Sequence, residues 1–126
     1  MAASSTGFHE PLEQLQPATP NIHRAIVSLM EELEAIDWYR QRADACSEDQ
    51  LKAILEHNMN EEIEHAAMVL EWLRRHIPKM DEALKTYLFT TGDITKREEV
   101  VTGGEAGEKA TGRARPRTTI GNMKGN

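Results

Sequence analysis

Cysteine, aromatic residues and long apolar runs are all scarce in this chain of 126 residues. Its one cysteine, Cys46, excludes an internal disulfide and any cysteine-rich metal or iron–sulfur site. No apolar run approaches the roughly 20 residues that a membrane-spanning helix needs, so we expect no membrane insertion. The first ten residues lack both the basic and the apolar part of a secretory signal. These absences predict a cytoplasmic protein.

Basic residues are also too few for binding to nucleic acid. Residues 1–90 contain 8 Lys and Arg against 16 Asp and Glu, whereas residues 91–126 contain 7 against 5. An acidic body is repelled by phosphate backbones. Glycine is rare before the tail, since seven of the eight glycines lie at or after Gly92. We therefore expect a flexible N-terminal segment over 1–19, a helical domain over 20–90 and a disordered tail over 91–126.

The first long helix is predicted by an uninterrupted apolar stripe. Thr19 and Pro20 form a helix-start signal, and neither glycine nor proline follows until well past Ala45. Apolar residues recur at steps of three and four, as on the buried side of a packed helix. The stripe consists of Ile22, Ile26, Leu29, Leu33, Ile36 and Ala43.

A second long helix and a short third one follow. Ser47 and Gln50 have the spacing of a capping box, which predicts the start of the second helix. This helix runs to about His76 in a basic last turn, and Pro78 stops it. A shorter pattern predicts a third helix over Lys79–Phe89. The fold class is therefore all-α, an antiparallel two-helix hairpin with a short C-terminal helix.

Such a hairpin is too thin to enclose an apolar core of its own. Small domains bury too little surface to be stable alone. We therefore expect the chain to form a homodimer, in which two hairpins make a four-helix bundle around a shared two-fold axis.

Three ionisable residues occupy helix positions that should be apolar. Glu32 lies within an apolar row of the first helix, and Glu62 and His65 lie within such a row of the second. Glu32 and Glu62 are each fifteen residues from Ser47, so an antiparallel hairpin brings them to the same height. A buried carboxylate needs a partner or a metal. One lone Glu and one Glu-x-x-His pair make half of the ligand set of a di-iron carboxylate site.

The types of ligand restrict which metal ions the site could bind. Carboxylate oxygens with an imidazole nitrogen suit iron or manganese, and also zinc. One chain offers three ligands, and a two-fold axis beside the row supplies a second Glu32, Glu62 and His65. Glu31 and Glu34 flank Glu32 on other faces, either as a solvated acidic surface or as groups that attract cations. The alternative is a non-catalytic helical adaptor whose acidic row is neutralised by salt bridges.

The tail carries one feature of its own. Ile120 and Met123 interrupt a polar, glycine-rich stretch near the end of the chain. Isolated apolar residues on a tether often dock into a groove on a partner. The alternative is a chance feature of disordered sequence.

Residues from about His9 to Thr90 resemble the encapsulated ferritins of bacteria. The resemblance is carried by HRAIVSLMEELEAIDWY (His23–Tyr39), HNMNEEIEHAAMVLEWLRR (His57–Arg75) and KTYLFT (Lys85–Thr90). It implies that two hairpins form a ferritin-like dimer with a ferroxidase centre between them. It also implies that dimers assemble into an open ring, with a decamer expected.

The resemblance assigns roles to individual residues. It implies that Glu32, Glu62 and His65 of both subunits hold two iron ions per dimer, with Glu32 as the bridge. It implies that Glu31 and Glu34 form a metal-entry site. The expected reaction is oxidation of Fe(II) to Fe(III) by dioxygen. A peroxide-reducing or electron-transfer protein of rubrerythrin type is less favoured, because the chain has no cysteine-rich segment.

The ending TTIGNMKGN resembles the short peptide by which this family docks on the inner wall of an encapsulin shell. The peptide is expected at about 117–126, and it has Asn122-Met123 where the commoner ending has Ser-Leu. The resemblance implies that the protein lies inside an encapsulin nanocompartment in the bacterial cytoplasm. It also implies that the protein oxidises the iron and that the shell stores it. The peptide residues are Thr119, Ile120, Gly121, Asn122, Met123 and Lys124.

Overall fold

A computed structural model describes residues 6–98. The helices are α1 (Thr19–Ala45), α2 (Asp49–His76) and α3 (Pro78–Tyr87), with 3₁₀ turns at Leu12–Gln14 and Ile94–Lys96. Within residues 6–98 there is no strand, and the predicted all-α fold is confirmed. No helix in this part of the chain combines the length and apolarity needed to cross a membrane. The predicted peptide at 117–126 lies outside the described residues.

The two long helices form the predicted hairpin. Helices α1 and α2 contain 27 and 28 residues and pack along each other. At a rise of 1.5 Å per residue each is about 40 Å long. Among residues 6–98 the buried apolar side chains are Ala43, Ala66 and Leu73, of which Leu73 is fully buried. A single hairpin therefore has almost no core of its own, as the sequence predicts.

Glu48, rather than Ser47, caps the start of α2. The backbone of Glu48 is extended, and its carboxylate accepts hydrogen bonds from the backbone N–H of Leu51 at 2.7 Å and of Gln50 at 3.3 Å. The prediction of a Ser47 capping box is therefore wrong. The longer glutamate side chain reaches the free N–H groups from one residue nearer the helix, and its charge suits the positive helix end.

The start of α1 is also shifted by one residue. Its N-cap is Ala18, which has helical backbone angles and makes no side-chain cap. Thr19 is the first helical residue and Pro20 the second. Pro20 costs no hydrogen bond there, because the first N–H groups of a helix have no partner within it.

Ion pairs hold the first turn of α3 against the end of α2. Arg74 donates to both carboxylate oxygens of Glu71 at 2.8 and 2.7 Å and also donates to Asp81. Arg75 donates to Glu71 at 2.7 Å. The hydrogen bonds from Arg74, followed by those from Arg75, lower the pKa of Glu71 to about 2. The hydrogen bonds to Glu71 and Asp81 raise the pKa of Arg74.

The segment before α1 contacts that helix near its start. The ring of Phe8 lies 4.4 Å from the ring of His23, centroid to centroid. Nε2 of His23 donates a hydrogen bond to the backbone carbonyl of Thr6 at 2.9 Å. These contacts bring the segment back along the first turns of α1.

The chain divides into two compact units, residues 1–81 and 82–126. In the second unit the carboxylate of Asp93 accepts hydrogen bonds from the backbone N–H and the hydroxyl of Thr95 at 2.9 and 2.7 Å. These hydrogen bonds lower the pKa of Asp93. Arg97 donates to the backbone carbonyl of Thr86 at 3.3 Å, which ties the end of the described chain to α3.

Phe89 follows α3 in an unusual conformation. Its φ is 57°, in the left-handed region, and its side chain is fully exposed with a relative accessibility of 102%. The left-handed conformation costs an L residue about 1–2 kcal/mol, and glycine normally takes this place after a helix. The hydroxyl of Thr90 donates to the carbonyl of Tyr87 at 2.8 Å and caps the helix end. The predicted end of the third helix at Phe89 is thus two residues too late.

Candidate metal centre

The structure brings Glu32, Glu62 and His65 together on one side of the hairpin. One ligand atom from each lies within 4.8 Å of the others. Nδ1 of His65 is 3.4 Å from Oε2 of Glu32 and 3.5 Å from Oε2 of Glu62. Within residues 6–98 this is the one group of three or more His, Cys, Asp and Glu side chains with such spacing.

The hairpin register explains why the three meet. Helix α1 ends at Ala45 and α2 begins at Asp49, so the turn is centred on Ser47 as the sequence predicts. Residues equally far from that turn face each other across an antiparallel pair. Glu62 and His65 are one turn apart on α2 and lie on the same face of that helix.

One carboxylate oxygen in this group has no hydrogen-bond partner. Oε2 of Glu32 is buried and accepts no well-directed hydrogen bond, although it lies within ion-pair distance of His65. The side chains of Glu32 and Glu62 are each 24% exposed, and that of His65 is 43% exposed. A buried polar atom without a partner is unfavourable and is typically satisfied by an ion or water.

The proximity of the two carboxyl groups raises the pKa of Glu32. The largest cause is the side-chain hydrogen bond with Glu62, followed by burial and the charge of Glu62. Desolvation lowers the pKa of His65, but hydrogen bonding to Glu62 and the negative charge of both carboxylates outweigh it, so the pKa of His65 is raised. Glu32 and His65 therefore hold protons more readily than usual because the pKa of each is raised, and a bound cation must displace those protons.

The residues fit a transition-metal ion. Bonds from such ions to nitrogen and oxygen are about 2.0–2.2 Å long, so two ligands of one ion are at most about 4 Å apart. The observed spread of up to 4.8 Å needs only small side-chain rotations to reach that value. Two carboxylates and one imidazole suit iron, manganese or zinc. The unpartnered buried oxygen of Glu32 is a group that a bound cation would satisfy.

An apolar groove continues the same face of the hairpin toward the start of α1. Its volume is about 350 Å³. Ala25 and Ser28 lie two turns and one turn before Glu32, and Val69 lies one turn after His65. The groove is lined by Asn21, Arg24, Ala25, Ser28, Met68, Val69 and Trp72. The apolar rows that predict the ligands also run through this groove, but a sequence pattern does not show where side chains leave space.

Glu31 and Glu34 do not join the ligand group. Both side chains are exposed on α1, on either side of Glu32 in the sequence. Their role as an entry site stays a prediction. The predicted peptide residues Thr119–Lys124 lie outside the described residues.

Comparison with known proteins then assigns the family. The model of the EncFtn-like family matches residues 7–91, which include α1, α2 and α3. The chain belongs to the EncFtn-like family. The resemblance read from the sequence is therefore confirmed, and the family match includes all three candidate ligands.

Two curated relatives are similar over most of this EncFtn-like chain. The encapsulated ferritin-like protein of Rhodospirillum rubrum is 55% identical over 130 aligned positions, which cover 99% of this chain and 93% of the relative. The ferritin-like protein of Thermotoga maritima is 52% identical over 97 positions, which cover 77% of this chain and 85% of the relative.

A more distant relative and a solved structure extend the comparison. The encapsulin nanocompartment cargo protein EncC of Myxococcus xanthus is 28% identical over 123 positions, which cover 93% of this chain and 95% of the relative. The crystal structure of protein ne0167 from Nitrosomonas europaea has 57% sequence identity and a TM-score of 0.67. It aligns with 70% of this chain and 97% of its own.

Proposed function

We propose that this EncFtn-like protein is a ferroxidase, which oxidises Fe(II) to Fe(III) with dioxygen at a two-iron site shared by two copies of the chain. The observation that carries the proposal is the group formed by Glu32, Glu62 and His65, in which a buried oxygen of Glu32 has no hydrogen-bond partner. Iron is the substrate of this reaction, and the protein supplies the ligands and the geometry.

The second copy is required by the number of ligands. One chain offers three donors, whereas the di-iron carboxylate proteins use four carboxylates and two imidazoles. A two-fold axis beside the group provides that set from two chains. Glu32, which has one oxygen without a partner, is the residue we assign to bridge the two ions.

Two ions are needed because each Fe(II) gives up one electron. A pair supplies the two electrons that convert one dioxygen to hydrogen peroxide with two protons: 2 Fe(II) + O₂ + 2 H⁺ → 2 Fe(III) + H₂O₂. Glu32 and Glu62 supply negative charge that stabilises the higher charge of the product ions. His65 binds through Nδ1, the ring nitrogen that faces both carboxylates.

We assign to Glu31 and Glu34 the role of attracting incoming iron. Both carboxylates are exposed on α1, and acidic groups raise the local concentration of cations. They are not ligands in the group itself, so their removal should slow loading at low iron concentration and leave the final stoichiometry unchanged.

The second part of the proposal is association with an encapsulin shell. Two relatives are named for encapsulation, one as an encapsulated ferritin-like protein and one as an encapsulin nanocompartment cargo protein. We assign the docking contact to the peptide Thr119–Lys124 and place the protein inside the shell, in the bacterial cytoplasm. The pairs are proposed to assemble further into a ring, for which a decamer is the expected size.

Anaerobic titration of the full chain with Fe(II), followed by native mass spectrometry and exposure to air, tests the iron site. We expect saturation at one iron per chain and fast formation of Fe(III). Glu32→Ala, Glu62→Ala and His65→Ala should each abolish tight binding, while Glu56→Ala, an exposed glutamate of the same helix as Glu62, should not. Equal rates in the three ligand variants and the wild type would contradict the site and favour the non-catalytic adaptor.

Removal of the tail separates the two parts of the proposal. A chain that ends at Glu98 should oxidise iron at the full rate but fail to copurify with a coexpressed encapsulin shell. Grafting of residues 117–126 onto an unrelated soluble protein should direct that protein into the shell. Loading of the truncated chain at the wild-type level would exclude the peptide as the docking contact.

A further inference from the structure

We infer that Met68 is an oxidation site, at which the thioether sulfur captures hydrogen peroxide that leaves the metal centre. The inference rests on the proposed function, because that reaction supplies the peroxide. The step is R–S–R′ + H₂O₂ → R–S(O)–R′ + H₂O. A sulfur–oxygen bond forms and the oxygen–oxygen bond breaks, so the sulfur loses two electrons and the second oxygen leaves as water.

Met68 lies one helix turn beyond the candidate ligand His65 on α2. The two residues are three positions apart in the sequence. This spacing corresponds to a rise of about 4.5 Å along the helix and a rotation of about 60° around it. The spacing is set by α2 alone, so it is the same whether or not a second copy covers the site. A small molecule released beside His65 therefore starts within one helix turn of Met68.

The side chain of Met68 is accessible from the grooves beside the metal centre. Within residues 6–98, Met68 is 64% exposed and Met30 is 37% exposed, whereas Met59 and Met80 are partly buried. Met68 lines the apolar groove that continues the ligand face, and it also lines a second groove of about 640 Å³ along α2. Peroxide that leaves the centre along either groove passes this side chain.

The other oxidisable side chain of the two grooves is less open to attack. Among the described residues that line both grooves, Trp72 accompanies Met68. The ring of His76 stacks on the ring of Trp72 at 3.8 Å between centroids and covers one face of the indole. The thioether of Met68 has no such cover, so it is the favoured target.

Peptide mass spectrometry after aerobic loading of the full chain with Fe(II) measures this capture directly. Met30 is the internal reference, because it is exposed but lies about 160° around α1 from Glu32. Metal-free protein treated with added peroxide and a chelator gives the ratio of Met68 to Met30 sulfoxide that exposure alone produces. Iron loading should raise that ratio several-fold, because the peroxide then originates one turn from Met68.

Two controls separate local capture from oxidation by peroxide in bulk solution. Glu32→Ala lacks a candidate ligand, so its iron oxidises in solution and the ratio of Met68 to Met30 sulfoxide should fall to the value given by added peroxide. Catalase, which is too large to enter the grooves, should suppress the oxidation of Met30 in the wild type and leave that of Met68. Equal suppression of both would mean that peroxide reaches Met68 from the bulk, which would overturn the inference.

Met68→Leu tests the effect of capture on the peroxide that escapes. Leucine keeps an apolar side chain of similar size, so iron binding and Fe(III) formation should equal those of the wild type. During the first fillings of the site, the variant should release more free peroxide per iron than the wild type. The difference should vanish once Met68 is oxidised. Absorbance of Fe(III) reports the proposed function separately, so Fe(III) formation without preferential Met68 sulfoxide would overturn this inference alone.

Discussion

Nδ1 of His65 lies 3.4 Å from Oε2 of Glu32, and that buried oxygen accepts no well-directed hydrogen bond. The two residues belong to different helices, so their contact depends on the register of the hairpin. Packing of α1 against α2 brings together the side chains of Glu32 and His65, which stabilise each other poorly without a cation. The metal-free protein therefore has reduced stability at the position that we propose binds a metal ion.

Glu32→Leu should stabilise the metal-free protein and abolish its response to iron. The change removes an unpartnered buried oxygen and places an apolar side chain in an apolar row. We expect thermal unfolding of the metal-free variant to move upward by several degrees, since roughly 1 kcal/mol shifts the Tm of a domain of this size by about 4–8 °C. The wild type should gain stability when Fe(II) is added without oxygen, and the variant should not. Glu56→Leu, at an exposed position of α2, controls for a general effect of added leucine.

The cap of α2 is tested by a pair of neighbouring alanine substitutions. Glu48→Ala removes the carboxylate that accepts from Leu51 and Gln50 and should cost about 0.5–1 kcal/mol in the free energy of unfolding. Ser47→Ala should cost much less, because Ser47 is not the residue that caps the helix. Urea unfolding at fixed protein concentration measures both. A larger loss for Ser47→Ala would restore the capping box that the sequence predicts.

Leu73→Ala should be among the most destabilising single substitutions in the hairpin. Leu73 is 1% exposed, and a buried leucine replaced by alanine costs about 2–4 kcal/mol through lost burial and the cavity that remains. Ile54→Ala on the same helix is the matched control, because Ile54 is 47% exposed. The urea midpoint of the control should change little. Equal shifts for the two variants would mean that another molecule buries Ile54 as completely as the hairpin buries Leu73.

The ion pairs of Glu71 predict a specific dependence of stability on acid. The pKa of Glu71 is about 2 in the folded chain, against an ordinary value of 4.5. The stabilisation by Arg74 and Arg75 is therefore complete above pH 4.5 and is lost as the pH falls from about 4.5 toward 2. Glu71→Gln lacks this contribution at every pH, so the gap between its Tm and that of the wild type should narrow as the pH falls from 5 to 3. The exposed Glu64→Gln should show no such narrowing, and a constant gap for Glu71→Gln would rule out the linkage.

The helices and the candidate ligands were predictable because they depend on regular spacing. The apolar rows require helices of these lengths, and the absence of glycine and proline leaves nothing to interrupt them. Glu32, Glu62 and His65 stand out because they occupy apolar positions at equal distance from the turn. These properties follow from helix geometry alone, and the structure reproduces them.

The details that the sequence did not predict depend on alternatives of similar energy. Ser47 and Glu48 can both cap α2, and the choice depends on backbone angles that no pattern specifies. Phe89 lies where glycine is expected after a helix, so a rule based on residue type extended α3 past its true end. The network of Arg74 with Glu71 and Asp81 crosses a break between helices, where the helical period no longer relates one residue to another.

The small number of buried side chains has a consequence for how the protein is made. Of the described residues, the buried apolar ones are Ala43, Ala66 and Leu73, so a newly synthesised chain has little to fold around until it meets another. On the proposed pairing, folding becomes a second-order process whose half-time shortens as the chain accumulates. Translation of many copies from one messenger, close together in space, would then favour the native state over proteolysis of the single hairpin.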